Sequence, residues 1–299
     1  MTSSATLPKR LADLGFTLHN FGGVEAIVPP LARPVPAGEF LMGSDPHQDP
    51  EANEPIWRVS LPSYSITRFP VTVAEYACFV RYSGKVPRDD GKDVWTPQLH
   101  HLDCPIMYVS MNDAKDYAKW LAQLTGQSWR PPTEAEWEKA ARWDGYHSRL
   151  YPWGDEFIAS NCYCGKWVTI NGRRFLIPPN APPLDQLHKH LPLPHPPVEP
   201  VGMRPGSASP CGAEDMVGNV SEVTMSMANV DIKRDDSLII RGTDIATSRG
   251  GDCMCSQTEM RAARRAPDRD SDGIYEYTGF RMVSTSLEPF IQCSIRQYR

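Results

Sequence analysis

The run Arg130-Pro131-Pro132-Thr133-Glu134-Ala135-Glu136-Trp137-Glu138-Lys139-Ala140-Ala141-Arg142 constrains the fold of this chain more than any other. Two prolines keep the approach extended and bar the helix from starting early. Thr133 can accept from the amide three residues on, and Glu136 can reach back to the amide of Thr133, closing a capping box. The spacing predicts a helix from Thr133 to about Trp143. Two further segments carry start and stop signals. Thr72 with Glu75 opens a helix that runs to about Tyr82, and Gly84 follows as a stop. Ser110 opens another, in which Ala114, Tyr117, Ala118 and Leu121 fall at helical spacing before Gly126. Val59–Leu61 and Tyr64–Ile66 read as strands, and almost everything after Gly154 reads as irregular or strand-like.

At 299 residues the chain can bury a large core, as one big domain or two small ones. Its net charge is −5 and its isoelectric point about 5.9, with no basic stripe, which argues against nucleic acid as a partner. No run approaches the ~18 apolar residues of a membrane span, and Met1 to Phe16 lacks the apolar segment of a signal peptide. A soluble, cytoplasmic protein with no membrane partner is expected. Cysteines stand at 78, 104, 162, 164, 211, 253, 255 and 293. In such a compartment reduced thiols are the default, and an even count is no argument for bridges.

Residues 1–35 read as a lead-in segment, with a short helix within Leu11–Leu18 and a short strand at Ala26–Val28. Residues 165–200 read as an insertion, because nine prolines between Pro178 and Pro200 exclude helix or central strand. His188, His190 and His195 lie there. A solvated loop is the simpler reading. A metal site is the other, although no cysteine or carboxylate cluster accompanies these histidines.

The capped run belongs to a series in fixed order. Gly38-Glu39-Phe40-Leu41-Met42-Gly43-Ser44 and Pro70-Val71-Thr72-Val73-Ala74-Glu75-Tyr76 precede it. Tyr151-Pro152-Trp153-Gly154, Asp215-Met216-Val217-Gly218-Asn219-Val220, Arg249-Gly250-Gly251 and Gly279-Phe280-Arg281 follow. The series resembles the formylglycine-generating enzyme, or sulfatase-modifying factor, family over about residues 36–284, leaving 285–299 as a C-terminal tail. The resemblance implies an α+β, C-type-lectin-like fold: small antiparallel sheets, about three helices and much irregular loop. It implies nothing secure about activity, since one fold hosts many functions.

Asp215 to Glu222 offers hard oxygen donors at both ends, and Gly218 permits a tight turn that aims carbonyls inward. The family resemblance implies calcium held by the Asp215 side chain, the carbonyls of Gly218 and Val220, and the Glu222 carboxylate. A capped turn with a solvated acid is the plainer alternative. The family usually follows this turn with Trp-Glu-Trp, but here it is Ser221-Glu222-Val223. Losing two aromatic side chains reshapes any neighbouring peptide groove.

Asp252-Cys253-Met254-Cys255 is where the resemblance places the family's chemistry: two cysteines five residues apart, holding copper(I). Thiolates suit that soft ion. Cys255 takes the first position, but Met260 stands at the second, so formylglycine formation is not expected. Cys253 leaves a question open. In a strand, residues 253 and 255 share a face and could chelate copper or iron; equally, both could be half-buried small hydrophobes.

Three functional readings result. In the first the chain is a ligand-binding module for a peptide, protein or small molecule. Its contact surface is the loops from Asp252 to Tyr277, using Asp252, Gln257, Arg261, Arg264, Tyr275, Tyr277 and Arg281. Lectin-like variable proteins of diversity-generating retroelements use this region for display. In the second it is a copper- or iron-dependent oxidoreductase acting through Cys255 and Cys253. Relatives that join sulfur to histidine derivatives take iron ligands from an added helical bundle, for which the chain has no room outside its match. In the third it is a regulatory interaction domain. The missing second thiol and missing aromatic flanks favour binding, since removing one member of a cooperating catalytic set removes most of the rate.

Overall fold

A computed structural model describes residues 5–30, 32–44, 56–88, 91–170, 173–177, 198–225, 231–232, 237–239, 245–266, 269–270, 273–285 and 292–297. The three expected helices are all present: α2 (Val73–Ser83), α3 (Met111–Thr125) and α4 (Glu134–Arg142), preceded by a short α1 (Lys9–Asp13). Thr72, Ser110 and Thr133 each form a reciprocal capping box with the acid three residues on. Gly84 and Gly126 end α2 and α3 in the left-handed conformation.

All nine residues of α4 are buried, five of them charged. Burying charge is costly unless each group finds a partner. Here each does. Glu136 accepts both amino groups of Arg130, at 2.7 and 2.6 Å. Glu138 lies between Arg142 at 2.9 Å and Arg249 at 2.7 Å. Glu134 accepts from Arg265 at 2.8 Å. Lys139 donates to the carbonyls of Pro36 and Gly38, both at 2.8 Å, and so fixes the entry of the strand Gly38–Met42. The helix thus has no solvent-facing side.

The strands form small, mostly antiparallel sheets. One runs Arg33–Val35, Tyr64–Ile66, Val283–Ser284, Trp129–Arg130. Another runs Asp231–Ile232, Ser237–Ile239, Gln292–Gln297, Trp57–Leu61, Gly38–Met42. The sheet that carries the candidate site orders Arg269–Asp270, Ile245–Arg249, Ser221–Met225, Thr278–Gly279. In it Glu222 pairs across to Arg249 on one side and Gly279 on the other.

Described residues towards both ends join the rest of the fold. Thr17–Phe21 and Val24–Val28 form a hairpin, so the strand expected at Ala26–Val28 is there and the helix expected up to Leu18 stops at Asp13. Leu11, Phe16, Ala26 and Ile27 enter the main core with Tyr76 and Tyr117, whose rings stack at 5.9 Å. Ile295 of the tail pairs with Val59. Of the insertion, Lys166–Ile170 and Arg173–Ile177 form a hairpin; residues 178–197, with the three histidines, lie outside the described residues. No helix among the described residues is long and apolar enough to cross a membrane.

Candidate functional site

The turn expected to hold calcium is tight. Asp215 and Asn219 both take positive φ, 55° and 65°, and Gly218 takes 79°. A side chain at Gly218 would have its Cβ 2.7 Å from the Tyr163 carbonyl oxygen and 2.9 Å from Cys162 Sγ, so the glycine is a steric requirement. Asn219 clamps the returning chain: its Oδ1 accepts from the Glu199 amide, and its Nδ2 donates to the Glu199 carbonyl, both at 3.0 Å.

The carboxylate of Glu222 faces inward, away from solvent. Arg281 donates to both of its oxygens, Nε to Oε2 at 2.6 Å and Nη2 to Oε1 at 2.7 Å. Trp137 Nε1 adds a bond to Oε2 at 2.8 Å. Arg281 also donates to the Glu214 carbonyl at 2.9 Å and the Asp215 carbonyl at 3.3 Å. Asp215 Oδ2 accepts from the Gly202 amide at 2.8 Å, and burial pushes its carboxyl up to about 6. Arg281 and Trp137 therefore already engage the oxygens of the acid expected to hold calcium. Among the described residues, no group of three or more His, Cys, Asp or Glu could hold a metal. Arg281, wholly buried, is a core residue and not part of any loop surface.

Residues 253–255 form a turn, not a strand, so the condition for a shared cysteine face is not met. Cys253 packs with Tyr108, Tyr163, Val220 and Tyr277. Cys255 lies in the other layer, with Cys162, Cys164 and Met260. Met260 Cε and Cys255 Cβ both approach Gly251. The Cys255 thiol is pushed up to about 12 by burial and by the negative charge of Asp252, to which it hydrogen-bonds. The carboxyl of Asp252 is itself raised by burial. These surroundings keep Cys255 protonated, the opposite of an activated nucleophile.

Of the expected contact residues, Gln257, Arg264 and Tyr275 are exposed, and Asp252, Arg261 and Tyr277 are half-buried. Arg264 pairs with Glu259 at 2.7 Å. The Ser221 amide donates to the Tyr277 carbonyl at 2.9 Å, tying this loop to the strand that carries Glu222. Tyr108, in the core cluster that Tyr277 packs against, has φ 60°, a conformation that side chains rarely hold without compensation.

One further group comes together only in the fold. Cys162 and Cys164 adjoin Cys255, since the Gly165 amide donates to the Cys255 carbonyl at 2.9 Å. The Cys164 thiol is lowered, chiefly by a hydrogen bond from Cys162, while Cys162 is raised. Their Cys-X-Cys spacing was the available signal.

Residues 32–286 match the family model described as the sulfatase-modifying factor enzyme 1-like domain. The chain is 32% identical over 217 residues to the hercynine oxygenase of Mycolicibacterium thermoresistibile, a match covering 62% of this chain but only 42% of that protein. It is 25% identical over 300 residues to the inactive C-alpha-formylglycine-generating enzyme 2 of Mus musculus, covering 85% of this chain and 86% of the other. The solved structure of PvdO from Pseudomonas aeruginosa superposes with a TM-score of 0.59 at 21% identity, over 90% of this chain and 97% of that one.

Proposed function

The chain belongs to the sulfatase-modifying factor enzyme 1-like family, and on that footing we propose that it is a ligand-binding module which does not generate formylglycine. The observation that carries this reading is the state of Cys255. Its thiol donates to Asp252 and is held far from ionisation, and the position five residues on is the buried thioether of Met260. A pair of thiolates, the soft donor set that copper(I) favours, is not assembled there. The similarity to an inactive member of the family supports the same reading.

The ligand, a peptide, protein or small molecule, meets the exposed Gln257, Arg264 and Tyr275 and the half-buried Tyr277. Tyrosines suit such a surface because they offer large amphipathic area at low entropic cost. A cytoplasmic location belongs to the same proposal and is supported by seven unbridged cysteines among the described residues. Calcium is left out of it, because Arg281 engages both oxygens of Glu222.

A second reading, a copper- or iron-dependent oxidoreductase, has one specific observation behind it. Cys255 and Met260 flank the same glycine, and a thiol and a thioether are both soft donors. Elemental analysis of the full chain purified without added metal separates the two. The binding module predicts copper and iron well below one per chain. Stoichiometric copper that disappears in Cys255→Ser would overturn it in favour of the oxidoreductase.

A further inference from the structure

Cys162 has extended backbone angles, φ −132° and ψ 133°. Residues two apart on extended chain project to one side, and the packing agrees. Cys162 and Cys164 both enter the layer that holds Cys255 and Met260, while Tyr163 between them turns into the opposite layer with Cys253. The segment is laced on both flanks: the Asn219 amide donates to the Tyr163 carbonyl at 2.8 Å, and the Gly165 amide to that of Cys255 at 2.9 Å. Cys162 is buried, its Sγ 3.8 Å from the Val217 carbonyl oxygen, in space that Gly218 leaves open by having no Cβ. Cys164 is half-buried. Cys164 is therefore the more exposed residue of the pair and Cys162 the sheltered one.

We propose that Cys162 and Cys164 form a redox-active dithiol that exchanges with small disulfides. The proposal does not depend on the assignment of the ligand-binding surface. In the first step the Cys164 thiolate, its proton given to solvent, attacks one sulfur of a small disulfide. The sulfur–sulfur bond of that molecule breaks, and one small thiolate leaves and takes up a proton. In the second step Cys162 loses its proton and attacks Cys164 Sγ, expelling the other small thiolate, which is protonated in turn. Two protein thiols become one disulfide and one small disulfide becomes two thiols, a balanced two-electron exchange.

The roles follow from position. The attacking thiol must be reachable and partly ionised. Cys164 is the half-exposed member, and its thiol is lowered by the hydrogen bond from Cys162, with a further contribution from the Arg204 charge. The resolving thiol needs only proximity, which Cys162 has. A disulfide wants Cα atoms about 4.4–6.8 Å and Cβ atoms about 3.5–4.5 Å apart; an extended pair two residues apart sits near the upper end of the first range and beyond the second, so the backbone at Tyr163 must bend for the bridge to close. The bridge would be strained and easily reduced, which suits a reversible exchange and not a permanent staple.

The test is to equilibrate the full chain in buffers of varying glutathione to glutathione-disulfide ratio, quench with acid, alkylate and map peptides by mass spectrometry. The expected result is a dithiothreitol-reversible loss of two hydrogens on the peptide holding residues 162 and 164. Cys162→Ser should accumulate glutathione on Cys164. The wild-type map stands alone if that variant does not fold. The proposal is overturned if both cysteines carry glutathione without bridging, if Cys164 bridges to Cys255 instead, or if the peptide stays reduced under excess disulfide.

Discussion

Glu222 and Arg281 meet in a two-pronged pair, at 2.6 and 2.7 Å, with no part of either side chain exposed. Glu222 stands on the central strand, and Arg281 comes from the segment that follows Thr278–Gly279 beside it. Through the guanidinium the pair also reaches the carbonyls of Thr67, at 3.1 Å, and Glu214. It joins three otherwise distant stretches of chain. Removing one member of such a pair strands the other in the core. Arg281→Ala is expected to lower unfolding free energy by about 3–5 kcal/mol, read from urea denaturation. A loss no larger than that of an exposed pair, about 1 kcal/mol or less, would show that the two residues do not depend on each other.

The same pair determines the response to chelation. A protein that holds calcium in its folded state gains about 2.7 kcal/mol when the ion stands a hundredfold above its dissociation constant. With Arg281 on both oxygens of Glu222, the melting temperature of this chain should be the same in excess calcium and in excess EDTA. A calcium-dependent rise that vanishes in Glu222→Ala would mean that the turn rearranges to admit the ion.

Glu75, 1% exposed, caps α2 and is pushed up to about 7 by burial. The folded state therefore holds its proton in a range where the unfolded chain, near 4.5, has lost it. The contribution to stability is complete below the unfolded value and fades as pH rises through about 7. Its full size is of the order of 3 kcal/mol. Unfolding free energy measured from pH 4.5 to 8 should fall less steeply in Glu75→Gln than in the wild type, and identical slopes would contradict the assignment.

Gly218→Ala should be far more damaging than an ordinary glycine replacement. It combines a positive φ of 79° with approaches of 2.7 and 2.9 Å that real side chains do not make. A cost above about 1 kcal/mol is expected. The variant should also react faster at Cys162 with an alkylating reagent, because the added methyl displaces that thiol from its seat. Unchanged alkylation would mean that the turn yields without moving Cys162.

The capped helices could be read from the chain because their signals are local: Thr72 with Glu75, Ser110 with Asp113, Thr133 with Glu136. The α+β, formylglycine-generating-enzyme-like scaffold could be read from the ordered series of short runs. What could not be read is long-range pairing. Nothing near Glu222 in sequence announces Arg281, 59 residues on, and hard oxygen donors in a turn look alike whether an ion or a guanidinium meets them. A strand would put Cys253 and Cys255 on one face; the turn found there places them in different clusters of the core. Cys162 and Cys164 lay in plain view, but their nearness to Cys255 depends on a contact across about 90 residues, between Gly165 and Cys255.

Helix α4 behaves as a knot of reciprocal obligations. Glu138 serves Arg142 and Arg249, Glu136 serves Arg130, and Lys139 holds the start of a strand. Changing one of these glutamates or arginines leaves an opposite charge stranded, so drift here meets resistance whether or not any reaction is performed nearby. Cys255 and Met260 take part in no ion pair of this kind. A chain of this type can therefore lose or exchange its chemistry while its most recognisable words stay fixed, and likeness in those words reports the frame and not the trade practised within it.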